Sequence, residues 1–183
     1  LTSTQIYNKI TTEHLVSLEL QEGRNHALIV VDLDKFKYAN DTFGHLFGDS
    51  VIKAVAATLR ATFRATDIVG RTGGDEFVVL AKDISLSDGL ETLKAKCSGS
   101  PSSSPMSPSA GLCHLASIGI SLFPRDGKTY AELFAKPTPP CTRSKHRARH
   151  FAVYGEVPET ETKALPSGGK GMPLMPRGPR NDA

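Results

Sequence analysis

The sequence predicts an α+β fold in which helices cover a mainly antiparallel sheet. Three observations carry that prediction. A β-branched apolar run, HALIVVDLD (26–34), stops abruptly at two aspartates. Two further apolar runs, DIVGR (67–71) and EFVVLA (76–81), flank the four-residue turn TGGD. Segments of helical period lie before, between and after these strands.

Taken in order, residues 4–22 place Ile6, Ile10, Leu15 and Leu18 at helical spacing, which predicts an amphipathic first helix. The run 26–34 is a buried strand whose end carries polar residues. Residues 35–49 mix a short helix with turn residues, and Asp34 stands where a helix cap is expected. Asp49 and Ser50 are expected to cap a helix through about Phe63, with Val51, Val55 and Leu59 inward. The turn TGGD closes a hairpin, glycine tolerating positive φ. Another helix, the strand SIGISLF (117–123) and a helix from Thr129 to Phe134 complete the pattern. Residues 1–155 are assigned to one domain, and 156–183, without periodicity and containing SGGK and PRGPR, to a disordered tail.

The chain has 183 residues and is 39% hydrophobic, enough for one core. No apolar run reaches the roughly 20 residues of a membrane helix, and no signal-peptide pattern opens the chain, so a cytoplasmic location is expected. The sequence opens at Leu1, consistent with a cytoplasmic piece of a larger membrane-bound sensor. The net charge of +3 is uneven: residues 136–183 hold nine Lys or Arg against four Asp or Glu. That tail has no aromatic residues interleaved with its charges after Tyr154, which argues against nucleic acid as a partner. Cys97, Cys113 and Cys141 show no metal-binding spacing.

If the strands ending at Asp32 and starting after Asp75 are neighbours, their carboxylates meet at one sheet edge. Hard oxygen ligands there suit Mg²⁺, which keeps waters and binds substrate phosphates. Two such ions about 4 Å apart can activate an attacking hydroxyl and stabilise a leaving oxygen in phosphoryl transfer. Gly73 and Gly74 would let phosphates approach backbone N–H groups.

The stretch VDLDKFKYANDTFGHLFGD followed by RATDIVGRTGGDEFVVL resembles the GGDEF family, the diguanylate cyclases, in order and spacing over roughly residues 26–82. A weaker echo continues in SIGISLFP and KHRARH. The resemblance implies a fold like the palm of nucleotide polymerases and adenylyl cyclases. It also implies condensation of two GTP into cyclic di-GMP by a homodimer, each subunit holding one GTP. By that likeness Asp32, the Leu33 carbonyl and Asp75 would bind Mg²⁺ or Mn²⁺, and Asp75 would also serve as base for the 3′-hydroxyl. Glu76 would support the metal, and Lys37 would contact phosphate. Asn40 and Asp49 match the residues that read the guanine edge, and His45 would line the same pocket. Phe36 is expected to pack in the core. Arg64 and Asp67, in RATD, match the family's RxxD inhibitory product site, whereas the bare pattern is as well read as a helix-end ion pair.

The likeness breaks in two places. Residues 97–114 and 137–144 are abruptly Ser- and Pro-rich, and they contain all three cysteines and six of the twelve prolines. The family's last helix reads AD-x-ALY-x-AK-xx-GR, with a phosphate-contacting lysine and arginine. Here AKPTPPCTRSKHRARH keeps Lys145 and Arg149 at i, i+4 but inserts Pro137, Pro139 and Pro140, each costing a helix about 3 kcal/mol. One permissible set of codons turns KPTPPCTRSK into the helix-like KADAALYQVK by a frame slip closed ten residues later. Resequencing the coding DNA tests that origin. If the prolines are genuine, a binding module for GTP or cyclic di-GMP becomes the alternative to an active cyclase. A polymerase palm is disfavoured because the chain has no room for further polymerase domains.

Overall fold

The computed structural model describes residues 6–85, 88–98, 116–135 and 151–154. Its elements are α1 (Lys9–Leu20), β1 (His26–Leu33), α2 (Phe36–Phe43), α3 (His45–Thr62), β2 (Ile68–Arg71), β3 (Glu76–Ala81), α4 (Gly89–Ser98), β4 (Ala116–Phe123), α5 (Tyr130–Ala135) and β5 (Phe151–Val153). They build one sheet of order β2-β3-β1-β4-β5, antiparallel except for the β4–β5 pair. This is the α+β architecture expected from the strand and helix periodicities.

β1 is paired along both edges and packed into a core on each face, and its apolar run does not alternate with polar residues. Successive side chains still point to opposite faces. Ala27, Ile29, Val31 and Leu33 join the core under α3 and α4, with Ile52, Val55, Leu59, Leu90 and Leu93. Leu28 and Val30 join a second core with Val16 and Leu20 of α1 and Leu133 of α5. Phe36 packs half-buried against the first core, as expected.

Several local expectations are corrected. The first helix starts at Lys9, because Asn8 caps it: its side-chain oxygen accepts the Thr11 N–H at 2.9 Å. Ile6 and Tyr7 instead run along β2, where the Tyr7 N–H donates to Val69 O and the Arg71 N–H donates to Tyr7 O. The inward face of α1 is Thr12, Val16 and Leu20, while Ile10 is 79% exposed and Leu18 47%. Gly70 sets this face: a Cβ there would lie 1.8 Å from Thr12 Oγ1, so only a glycine lets α1 approach β2 this closely.

Asp34 does not cap α2. Lys35 occupies that position with φ 57°, and Asp34 Oδ1 accepts the Ser117 hydroxyl at 2.8 Å across to β4. Nor do Asp49 and Ser50 cap α3, which starts at His45; Gly44, with φ 83°, turns the chain directly from α2 into α3. Ser50 lies inside the helix and donates to Leu46 O. Val51 is half-buried, and Gly48, Ile52, Val55, Ala56 and Leu59 form the inner face. Residues 151–153, which carry no legible period, form β5, whose Val153 is buried. Cys97, first residue of the Ser- and Pro-rich stretch, packs within the core as part of α4. Residues 99–114, 137–144 and the tail 156–183 lie outside the described residues, so the expected disorder of the tail and the frame slip do as well.

His26 begins β1, fully buried beside Phe123, and its Nδ1 accepts the Asp83 N–H at 3.3 Å. Burial lowers its pKa from the ordinary 6.5; Arg24 and Lys82 act the same way, while Glu19 and Asp83 partly oppose them. The folded state therefore holds His26 neutral, and the unfolded state takes up its proton first as pH falls. Stability is thus full above about pH 6.5 and falls below it. Urea midpoints at about pH 7.5 and about pH 5.5 should differ more for the wild type than for His26→Gln. Equal differences would show that another group governs the slope.

Candidate functional site

The expected meeting of two strand ends is present. Asp32, one residue from the end of β1, stands opposite Glu76 of β3 on one side and Ser117 of β4 on the other. Register and pleat put these three on the same face. The ladder continues one step further, the Leu33 N–H donating to Asp75 O at 3.1 Å. Asp75 is thereby held against the end of β1, and Leu33 itself is buried.

The electrostatics follow from this arrangement. Asp32 is half-buried, and its pKa is raised, first by burial and then by the negative charges of Asp75, Glu76 and Asp34. Four carboxylates thus crowd one end of the sheet, and a cation would relieve their repulsion. The donor set consists of hard oxygens, which fits Mg²⁺ or Mn²⁺. Among the described residues no group of three His, Cys, Asp or Glu is already gathered closely enough to hold a metal.

The turn is held by groups that sequence reasoning missed. Arg71 donates from Nε to Gly73 O at 3.1 Å and from Nη2 to Gly74 O at 2.7 Å. Thr72 and Gly73 both donate backbone N–H to Glu76 O, and the Thr72 hydroxyl donates to Glu76 Oε2 at 3.1 Å. The positive φ expected of the hairpin glycines is not used; among the described glycines it occurs at Gly23 and Gly44. Arg71 ties down the turn carbonyls instead. The signal available in the sequence was a guanidinium directly before a turn whose carbonyls lack ladder partners. Gly74 faces open space, and a Cβ on Gly73 would meet Glu76 Cβ at 3.2 Å.

The remaining candidates fall into separate groups. Lys37 is exposed on α2. Asn40, on α2, faces Gly48 of α3, while His45 and Asp49 are exposed on the first turns of α3. Arg64 and Asp67 lie between α3 and β2, on the connection that leads into the hairpin. Asp67 is buried, and its carboxylate accepts the Arg64 N–H at 2.8 Å and the Lys82 N–H at 3.0 Å. Its contact with Arg64 is thus through the backbone. Lys145 and Arg149 lie outside the described residues.

This sheet, with its carboxylate-bearing strand ends and the Gly-Gly-Asp-Glu turn, has the architecture of a nucleotide-cyclase-like domain. The family model for "Diguanylate cyclase, GGDEF domain" matches residues 2–150, and the chain belongs to that family. Among curated relatives, the cyclic di-GMP phosphodiesterase NbdA of Pseudomonas aeruginosa is 32% identical over 148 residues, 81% of this chain and 19% of that protein. Diguanylate cyclase DgcP of the same organism is 40% identical over 114 residues, 61% of this chain and 16% of that protein. The chain therefore spans about a fifth of the length of these relatives. The crystal structure of the GGDEF domain of PA1120 (YfiN or TpbB) from Pseudomonas aeruginosa superposes with TM-score 0.66 at 25% identity, covering 84% of this chain and 99% of that one. No helix among the described residues is long and apolar enough to cross a membrane.

Proposed function

We propose that this domain is a divalent-metal-dependent diguanylate cyclase, condensing two GTP into cyclic di-GMP and two pyrophosphates between two copies of the chain in the cytoplasm. The observation that carries this reading is the register that sets Asp32 opposite Glu76 and clamps Asp75 onto Leu33. Mg²⁺ or Mn²⁺ held by Asp32, the Leu33 carbonyl, Asp75 and Glu76 would supply charge neutralisation for the triphosphate and lower the pKa of the attacking hydroxyl.

The chain's own residues take the other roles. Asp75 accepts the 3′-hydroxyl proton. Lys37, with Lys145 and Arg149, neutralises phosphate charge, and Gly73 and Gly74 leave room for the phosphates at the turn. Asn40 and Asp49 read the guanine edge, with His45 beside them. Arg64, with Asp67, receives product and slows turnover. A homodimer is required because the attacking hydroxyl and the attacked phosphorus belong to GTP molecules on different subunits.

A second reading is favoured by Pro137, Pro139 and Pro140, which interrupt the segment that carries Lys145 and Arg149: a regulatory module that holds GTP or cyclic di-GMP without turnover. One experiment separates the two. The full chain is incubated with GTP and Mg²⁺ and the products are resolved by chromatography, with Asp75→Asn as the blank. Cyclic di-GMP that disappears in the variant is expected. Bound GTP or cyclic di-GMP without product would establish the module instead, and neither product nor binding would refute both.

A further inference from the structure

The amide of Asn40 is held in an unusual way. Its Oδ1 is buried and makes no hydrogen bond, although buried polar atoms are normally paired. What faces it is Gly48, one turn into α3: a Cβ built on Gly48 would lie 1.8 Å from Asn40 Oδ1, 2.8 Å from Cγ and 3.2 Å from Nδ2. All three atoms belong to the Asn40 side chain, and no backbone atom is among them. The contact arises because Gly44, at φ 83°, folds α2 tightly onto α3, its N–H donating to Asn40 O at 2.8 Å. Gly48 is itself buried by this packing.

We propose that Gly48 is a positioning residue for nucleotide recognition, its missing Cβ forming the seat that aims the Asn40 amide at the base. This rests on the reading of Asn40 as a guanine-contacting residue. The seat receives the amide oxygen, so the Nδ2 donors are left for the ligand, and they suit the N3 acceptor of guanine. A methyl group at Gly48 would evict the amide by rotating Asn40, since a side chain yields more easily than two packed helices. Alanine is also the better helix former, so α3 itself gains from the change. Gly48→Ala therefore separates folding from recognition.

The test measures GTP and ATP affinity, with fluorescent nucleotide analogues, for the full wild-type chain, Asn40→Ala, Gly48→Ala and the double variant, with a thermal melt of each. The wild type should prefer GTP. Each single variant should bind GTP about tenfold more weakly, the scale of one lost hydrogen bond with its partner left unpaired. The double variant should be no weaker than Asn40→Ala, because Gly48 acts only through that side chain. Gly48→Ala should melt no lower than the wild type. A wild type that binds GTP no better than ATP would overturn both the guanine reading and this inference. With a GTP-selective wild type, the inference alone falls if Gly48→Ala binds within about twofold of wild type, if the two losses add, or if Gly48→Ala unfolds.

Discussion

Asp32→Asn is expected to raise the melting temperature of the metal-free protein while reducing cyclic di-GMP formation on the order of a thousandfold, the scale for losing a group aimed at transition-state charge. Asparagine keeps the shape of the side chain and removes the charge. In the folded chain that charge is penalised by burial and by Asp75, Glu76 and Asp34, so its removal relieves the native state. Asp32 is partly solvated, so the gain should amount to a few degrees. On the proposed metal-dependent mechanism, the same charge is the one a bound cation needs. Millimolar Mg²⁺ should raise the melting temperature of the wild type through preferential binding to the folded state, yet leave Asp32→Asn where it stands. Differential scanning fluorimetry of both proteins with and without Mg²⁺ makes these three comparisons. A metal-free Asp32→Asn that melts below the wild type would mean that the carboxylate has a structural partner, and the metal reading of this sheet edge would fail.

Opposed effects on stability and activity are a mark of residues kept for chemistry, and the carboxylates proposed for that role were the easiest to find in the sequence. Asp32 and Asp75 were legible because each interrupts an apolar strand at its end, where nothing in the packing calls for a carboxylate. β1 and β3 were legible because strands covered on both faces read as unbroken apolar runs. What the sequence hid were contacts between segments. The face of α1 was misread because Ile10 and Leu18 are apolar, whereas the inward face is selected by the meeting of Thr12 with Gly70, 58 positions further along the chain. Arg71 could not be assigned to the turn until the hairpin brought the Gly73 and Gly74 carbonyls back to its guanidinium. Asn40 was singled out by likeness, but Gly48 was not, because their contact exists only once Gly44 folds α2 onto α3. β5 is three residues long and identified by its partner Ile118–Ile120 rather than by its own period.

Asp67→Ala should lower stability by about 2–4 kcal/mol, whereas Arg64→Ala should change it by less than about 0.5 kcal/mol. The two residues share the RxxD motif but not a structural duty. Asp67 is 6% exposed, and its two carboxylate oxygens each take a backbone N–H, from Arg64 just after α3 and from Lys82 just after β3. Truncation removes the buried acceptor of both part-buried donors, and the start of β2 loses its tie to the end of β3. Arg64 is exposed and contributes to this arrangement only its backbone, which alanine keeps. Urea denaturation of the two variants measures the difference, and an Asp67→Ala midpoint equal to that of the wild type would refute the structural role. The consequence for regulation is direct: loss of product inhibition in an Asp67 variant confounds recognition with loosening of the β2–β3 connection, and Arg64→Ala does not. If cyclic di-GMP restrains this chain through the RxxD site, Arg64→Ala should keep the wild-type urea midpoint and lose most of the inhibition. An Arg64→Ala protein still inhibited at the wild-type product concentration would remove the inhibitory role and leave Asp67 as a residue of the fold alone.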